Sequence, residues 1–132
     1  MKVIADTNLL VRFLVRDHEQ QALAAVRVLR AADVIAIPLV CLCELVWVLR
    51  RAYGFGRPEI AAAFGVLLEM EKVAIDQPAV DAGLAAINAG ADFADGVIAH
   101  EGRWLGGETF VSFDRRAVSV IASRGQDARL LA

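Results

Sequence analysis

Cysteine is scarce in this chain, with only Cys41 and Cys43 among 132 residues. Two positions apart on a helix point to different faces, so the pair is not expected to bridge. Two thiols cannot fill a four-ligand zinc site, and His18 and His100 are the only histidines that could supplement them. Both cysteines read as small apolar packing residues, and no nucleophile with an obvious base is left. Lysine is scarcer than usual too: beside Lys2 and Lys72, all the basic residues are arginine, the better fork for phosphate and carboxylate. Positive charge is not in excess, since 14 basic residues face 16 acidic ones for a formal charge of −2. A protein that binds nucleic acid through its own field is usually basic, which counts against a strong independent binder. It does not count against one that recruits metal ions. Long apolar runs are also missing. Val34 to Leu49 comes closest to the ~18 residues a membrane span needs, and Pro38 and Glu44 interrupt it. The N-terminus has no charged n-region, apolar h-region or small-residue cleavage site. The expectation is a cytoplasmic protein with no membrane association.

What is present is apolar mass. Hydrophobic residues make up 58% of the chain even without its 10 glycines. The usual share is about 45–50% with glycine counted. The length suits one domain over 1–132, with more apolar surface than it can bury alone. No repeat, low-complexity tract or long linker divides it.

The first ten residues organise the rest. Val3-Ile4-Ala5 is a short β-branched run consistent with a buried strand, and Asp6 arrives at its end, followed by Thr7 and Asn8. Ligands bind at the carboxyl ends of strands in open α/β sheets, so an acid there faces a crevice. Capping of the following helix is the competing explanation, since Asp, Thr and Asn all cap well. Leu9, Leu10, Phe13 and Leu14 fit one helical face, and Asp17-His18-Glu19 reads as a break. A second helix is expected from about Glu19 to Ala32, with Ala22, Leu23, Val26 and Leu29 inside. Asp33 to Ile37 reads as a buried strand stopped by Pro38. Leu39 to Tyr53 suits a helix, apolar almost all round until Arg50 and so mostly buried, with Gly54 and Gly56 ending it. Glu44 is its one charge before Arg50. A buried carboxylate needs a partner, and an arginine, solvent at the helix surface or a cation could serve.

Pro58 suits a first helical turn, and Ile60, Phe64, Leu67 and Leu68 form the face that follows. Lys72 to Ile75 reads as a short strand, and Pro78 opens a helix that Gly90 closes. Asp92 is placed as an N-cap with Asp95 three residues on, where the helix dipole favours negative charge. Two acids there read as more than capping requires. Thr109 to Phe113 alternates as a strand does, and Asp114 follows at once, before a helix that Gly125 ends. Ala128 to Leu131 reads as an edge strand or a tail.

Two strands thus end in aspartate, one helix begins with aspartate, and one apolar helix carries Glu44. In a single parallel sheet, strand ends and the helix starts after them share an edge, which would gather at least three of these acids. Clustered acids repel, and a hard divalent ion relieves them: Mg2+ or Mn2+ prefers carboxylate oxygens and keeps waters for substrate phosphates. Such an ion lowers the pKa of a bound water and stabilises charge on a phosphoryl group. The chemistry points to phosphodiester hydrolysis.

At these residues the chain resembles the PIN-domain ribonucleases, and the VapC toxin branch of toxin–antitoxin systems in particular. The resemblance rests on Asp6-Thr7-Asn8 after the first strand, Glu44 in a helix, Asp92-Phe93-Ala94-Asp95 and Ser112-Phe113-Asp114, in order and spacing. It implies an α/β, three-layer fold with a central, mostly parallel sheet flanked by helices. It implies a Mg2+- or Mn2+-dependent endoribonuclease acting on RNA, with Asp6, Glu44, Asp95 and Asp114 as the metal-binding catalytic acids. Asn8, Ser112 and Asp92 would support them, Ser112 standing where Thr is commoner. It also implies homodimers and inhibition by a small antitoxin protein. Leu10, Phe13, Leu14, Trp47 and Val48 are candidates to line the antitoxin's groove. A haloacid-dehalogenase-type phosphatase also begins strand–Asp, but it wants a second aspartate where Asn8 stands and a lysine that this chain lacks. A non-catalytic binding role would leave Glu44 and the strand-end acids unexplained.

Overall fold

The computed structural model describes residues 1–132 and divides them into two compact units, Met1–Asp76 and Gln77–Ala132. In the first unit the chain runs β1 (Lys2–Ile4), α1 (Thr7–Val15), α2 (Glu19–Ala31), β2 (Val34–Ala36), α3 (Leu39–Tyr53), α4 (Arg57–Glu69) and β3 (Val73–Ala74). In the second it runs α5 (Gln77–Asn88), α6 (Phe93–Trp104), β4 (Phe110–Ser112), α7 (Arg115–Ser123) and β5 (Ala128–Leu130). Every strand pairing is parallel, as helical crossovers require. No helix is long and apolar enough to cross a membrane.

The strands form two sheets, β1-β2-β3 in the first unit and β4-β5 in the second. In the first, Val3 lies opposite Ile35 and Ile35 opposite Val73, and the Ala5 N–H extends the ladder to the Ala36 carbonyl at 2.9 Å. Because these strands are parallel, α1 and α3 both start at the carboxyl edge of this sheet. The core of the unit is Leu10, Leu29, Ile35, Leu45, Leu49 and Phe64, all essentially without solvent contact.

Several expected faces are rotated or narrower. The buried face of α2 is Ala22, Ala25 and Leu29, whereas Leu23 is exposed and Val26 half-buried. Leu23 and Leu29 are six positions apart, which a 3.6-residue period places on different faces. In α4, Ala63 joins Ile60, Phe64 and Leu67 inside, and Leu68 turns outward. Strand β1 is not buried throughout: it is an edge strand, and Ile4 is 79% exposed while Ala5 is fully buried. Helix α3 is not buried all round either. Leu42, Leu45, Val46 and Leu49 face the core, but Val40 (65% exposed), Glu44, Trp47 (61%) and Arg51 form one outward stripe. The spacing of four, three and four along that stripe is helical. Leu10 is fully buried, so it cannot line a groove, and Phe13, Leu14 and Val48 are half-buried.

The helix ends follow the local chemistry. Gly54 closes α3 in the left-handed region at φ 68°. His18 caps α2 by accepting the Gln21 N–H on Nδ1 at 3.2 Å. Arg16 closes α1 at φ 58°, the one non-glycine residue with positive φ. Nearby, Arg12 donates to Asp17 Oδ1 at 2.7 Å and to Gln21 Oε1 at 2.7 Å. The Tyr53 hydroxyl donates to Asp17 Oδ2 at 2.8 Å. This cluster ties the ends of α1 and α3 to the start of α2. Tyr53 first, and the Arg12 charge after it, hold the Asp17 carboxyl below its ordinary value.

In the second unit α5 and α6 pack almost backbone to backbone. A Cβ on Gly96 would stand 2.2 Å from the Ala82 carbonyl oxygen, and one on Gly83 would stand 2.5 Å from the Phe93 ring. Only glycine fits at either position. Phe93, Val97, Val80 and Ala86 fill the space around this contact. Helix α7 returns the chain from β4 to β5, burying Ala117, Val120 and Ile121.

Candidate active site

Asp6 sits one residue beyond β1's neighbour Ala5, as the N-cap of α1, where its Oδ1 accepts the Leu9 N–H at 2.9 Å. The competing explanation of this residue is therefore correct as far as it goes: Asp6 is a cap. It spends one oxygen on capping, and the exposed carboxylate keeps the other for a further partner. Asn8 is exposed in the first turn of the same helix. Glu44 lies further along α3, which starts at the same sheet edge, and its carboxylate reaches solvent rather than the core. Expecting Glu44 to be buried overlooks the polar and aromatic stripe on which it lies. The four-three-four spacing of Val40, Glu44, Trp47 and Arg51 is the signal that could have found it. Arg51 sits over the Trp47 ring with 5.6 Å from guanidinium to centroid, and no arginine pairs with Glu44.

In the second unit, Asp92 caps α6 and forms a capping box with Asp95. The Asp92 N–H donates to Asp95 Oδ2 at 3.2 Å. Capping thus uses both acids, which corrects the expectation that one is surplus to it. Asp114 caps α7 in the same manner as Asp6, its Oδ1 accepting the Ala117 N–H at 3.0 Å. The Ser112 hydroxyl oxygen accepts the Asp114 N–H at 2.9 Å and so fixes the turn that presents this carboxylate. A threonine could make the same bond.

Asp95 differs from the exposed acids because it is half-buried. Burial raises its pKa above the ordinary carboxylate value, and the charges of Asp92 and Asp114 push the same way against the Asp92 N–H bond. The structure therefore brings Asp92, Asp95 and Asp114 within one another's field. A single continuous sheet edge is not what does so, because β1 and β4 belong to different sheets. Within each unit, no three His, Cys, Asp or Glu side chains are close enough to share one metal ion. The donor chemistry nonetheless suits a hard divalent ion: carboxylate oxygens on short, helix-capping side chains, and an Asp95 whose ionised form is only partly compensated, by the Asp92 N–H. Soft or borderline metals are poorly served, as neither cysteine is near a strand-end acid in sequence.

A family model described as PIN domain matches residues 3–122. No curated protein matches the chain. PIN domains are generally metal-dependent nucleases, and a helix-rich α/β chain with only parallel strands fits their three-layer fold. With 3–122 matched and this architecture in hand, the chain belongs to the PIN domain family.

Proposed function

We propose that this PIN-domain protein is a Mg2+- or Mn2+-dependent endoribonuclease, the toxin of a type II toxin–antitoxin pair. The observation that carries the nuclease reading is Asp95, a half-buried carboxylate whose charge is opposed by burial and by two neighbouring acids, Asp92 and Asp114. A protein gains nothing in stability from such an arrangement unless something positive binds there. Asp6, Glu44, Asp95 and Asp114 would hold the divalent ion, with Asn8, Ser112 and Asp92 in support. When bound, the ion supplies an activated water and charge stabilisation on the phosphoryl group. The chain's own part is to present Asp6, Asp95 and Asp114 at helix N-termini, each held by a backbone N–H, and Glu44 on the outer face of α3. Ser112 and the capping box hold Asp114 and Asp95 in place.

The finer parts of this reading rest on the motif resemblance: RNA as substrate, a homodimer, cytoplasmic action and a small antitoxin as inhibitor. Val40 and Trp47, exposed beside Glu44, are the apolar anchors the first unit offers such a protein. The test is cleavage of single-stranded RNA by the purified chain with Mg2+, with Mn2+ and with EDTA. Asp6→Asn, Glu44→Gln, Asp95→Asn and Asp114→Asn should each lower the rate about 100-fold or more while leaving the fold intact. Wild-type cleavage in EDTA, or by the Asp95→Asn protein, rejects the assignment.

A further inference from the structure

We propose that the first unit carries a nucleotide-binding recess, built by the C-terminal ends of α1 and α2 and the turn before β3. The recess encloses about 480 Å3, within the ~300–1,000 Å3 range of small-molecule sites. Its floor is apolar: Phe13, Val26, Leu29 and Met70. Its rim is cationic, with Arg16, Arg30 and Lys72 against the single acid Glu71. That is a local excess of positive charge on a chain whose formal charge is −2. None of the three cations is in an ion pair. Lys72 Nζ donates to the Arg30 carbonyl at 2.8 Å, which fixes it at the rim with protons to spare. Asp33, whose carboxyl also feels Lys72, is already paired with the Met1 ammonium. Arg16 lies 6.0 Å from the centroid of the Phe13 ring and is held there in a backbone conformation that glycine favours.

The chemistry selects the ligand. A wholly apolar occupant would fill the floor but leave three exposed rim cations without a partner. A simple anion would leave the apolar floor wet. A nucleotide satisfies both, its phosphate in the arginine forks and its planar base against Phe13 and the aliphatic floor. The recess lies at the end of α1 remote from Asp6. Ten residues separate Asp6 from Arg16, roughly 15 Å along a helix axis. It is therefore a site apart from Asp6 and does not depend on the nuclease reading. The nucleotide has two sources, free in solution or as part of an RNA strand.

Binding to the full chain in EDTA separates these sources and keeps metal-dependent cleavage silent, so failure here and failure of the cleavage assay are distinct results. The probes are AMP and a fluorescent oligouridylate. AMP should shift the methyl NMR signals of Val26, Leu29 and Met70. An Arg16→Gln/Arg30→Gln double variant should bind about tenfold more weakly or worse, with an unchanged thermal transition. If AMP displaces the oligonucleotide, the recess takes a nucleotide of a strand, and the salt slope should fall by about 0.7 per lost phosphate contact. If AMP binds without displacing it, the ligand is the free nucleotide. Unchanged affinity in the double variant overturns the proposal. So does the absence of binding by either probe, a set of shifted signals elsewhere, or displacement by polyglutamate but not by AMP.

Discussion

Asp95 is the residue whose charge this protein accommodates least comfortably. Its folded pKa is raised, first by burial and then by Asp92 and Asp114, so the folded state holds that proton more tightly than the unfolded chain does. The resulting stabilisation is complete below the unfolded carboxylate value of about 3.9 and is lost as pH rises through the folded value. At neutral pH the ionised side chain therefore costs stability. Asp95→Asn should melt at or above the wild-type temperature at pH 7, and the difference should vanish below about pH 4. Solvent screening keeps the gain under about 1 kcal/mol. Mg2+ should raise the melting temperature of the wild type but not of the variant; thermal melts across pH, with and without the ion, measure both. The acids themselves were legible in the sequence, because each follows a strand or opens a helix. What Asp92 and Asp95 do for each other was not, since a capping box usually uses Glu or Gln at its third position and here an aspartate reaches back.

At the scale of elements, the closest fit in the chain is between α5 and α6. Gly96 immediately follows Asp95, so the contact that lets α6 lie against α5 also sets the first turn on which Asp95 stands. Gly96→Ala would drive a methyl group into the Ala82 carbonyl, and the helix would have to move away. We expect a loss of about 3 kcal/mol or more. Gly65, exposed in the middle of α4, is the control, since a Cβ there would meet nothing within 4 Å. Gly65→Ala should add about 0.5–1 kcal/mol, because helical glycine is costly. Denaturant titration of the two variants checks both signs. Elements were the most legible scale. Pro58 near the start of α4 and Gly54 after α3 are local signals that act the same in any context, whereas the His18 cap of α2 was not anticipated. The faces were less legible, because Leu23 and Leu68 are as hydrophobic as the residues that displaced them from the core. Small neighbouring residues, Ala25 and Ala63, face the core instead, and hydrophobicity alone does not reveal that.

For the molecule as a whole, the apolar share of the sequence anticipates the surface. Trp104 is 81% exposed and Leu105 90%, and Val40, Trp47 and Phe113 add to them. Exposed apolar area of this kind marks interfaces. Produced without a partner, the protein should self-associate or bind hydrophobic dye; light scattering after size exclusion checks this, and a monodisperse, dye-negative monomer would refute it. The α/β class and the parallel strands were readable from alternating strand and helix patterns. The division of strands into β1-β2-β3 and β4-β5 was not, because strands of two or three residues carry too little pattern to specify their neighbours.

Arg16 holds a strained backbone and a ligand-facing charge in one residue. A left-handed backbone costs a residue with a side chain about 1–2 kcal/mol, and glycine would relieve it. Its contact with the Phe13 ring returns part of that, about 0.5–1 kcal/mol at an exposed site. Laboratory evolution for heat resistance alone would be free to discard this guanidinium, whereas evolution under a demand for ligand would have reason to keep it. The two regimes should part company at Arg16, and the residue that survives there would report which demand the protein had been under.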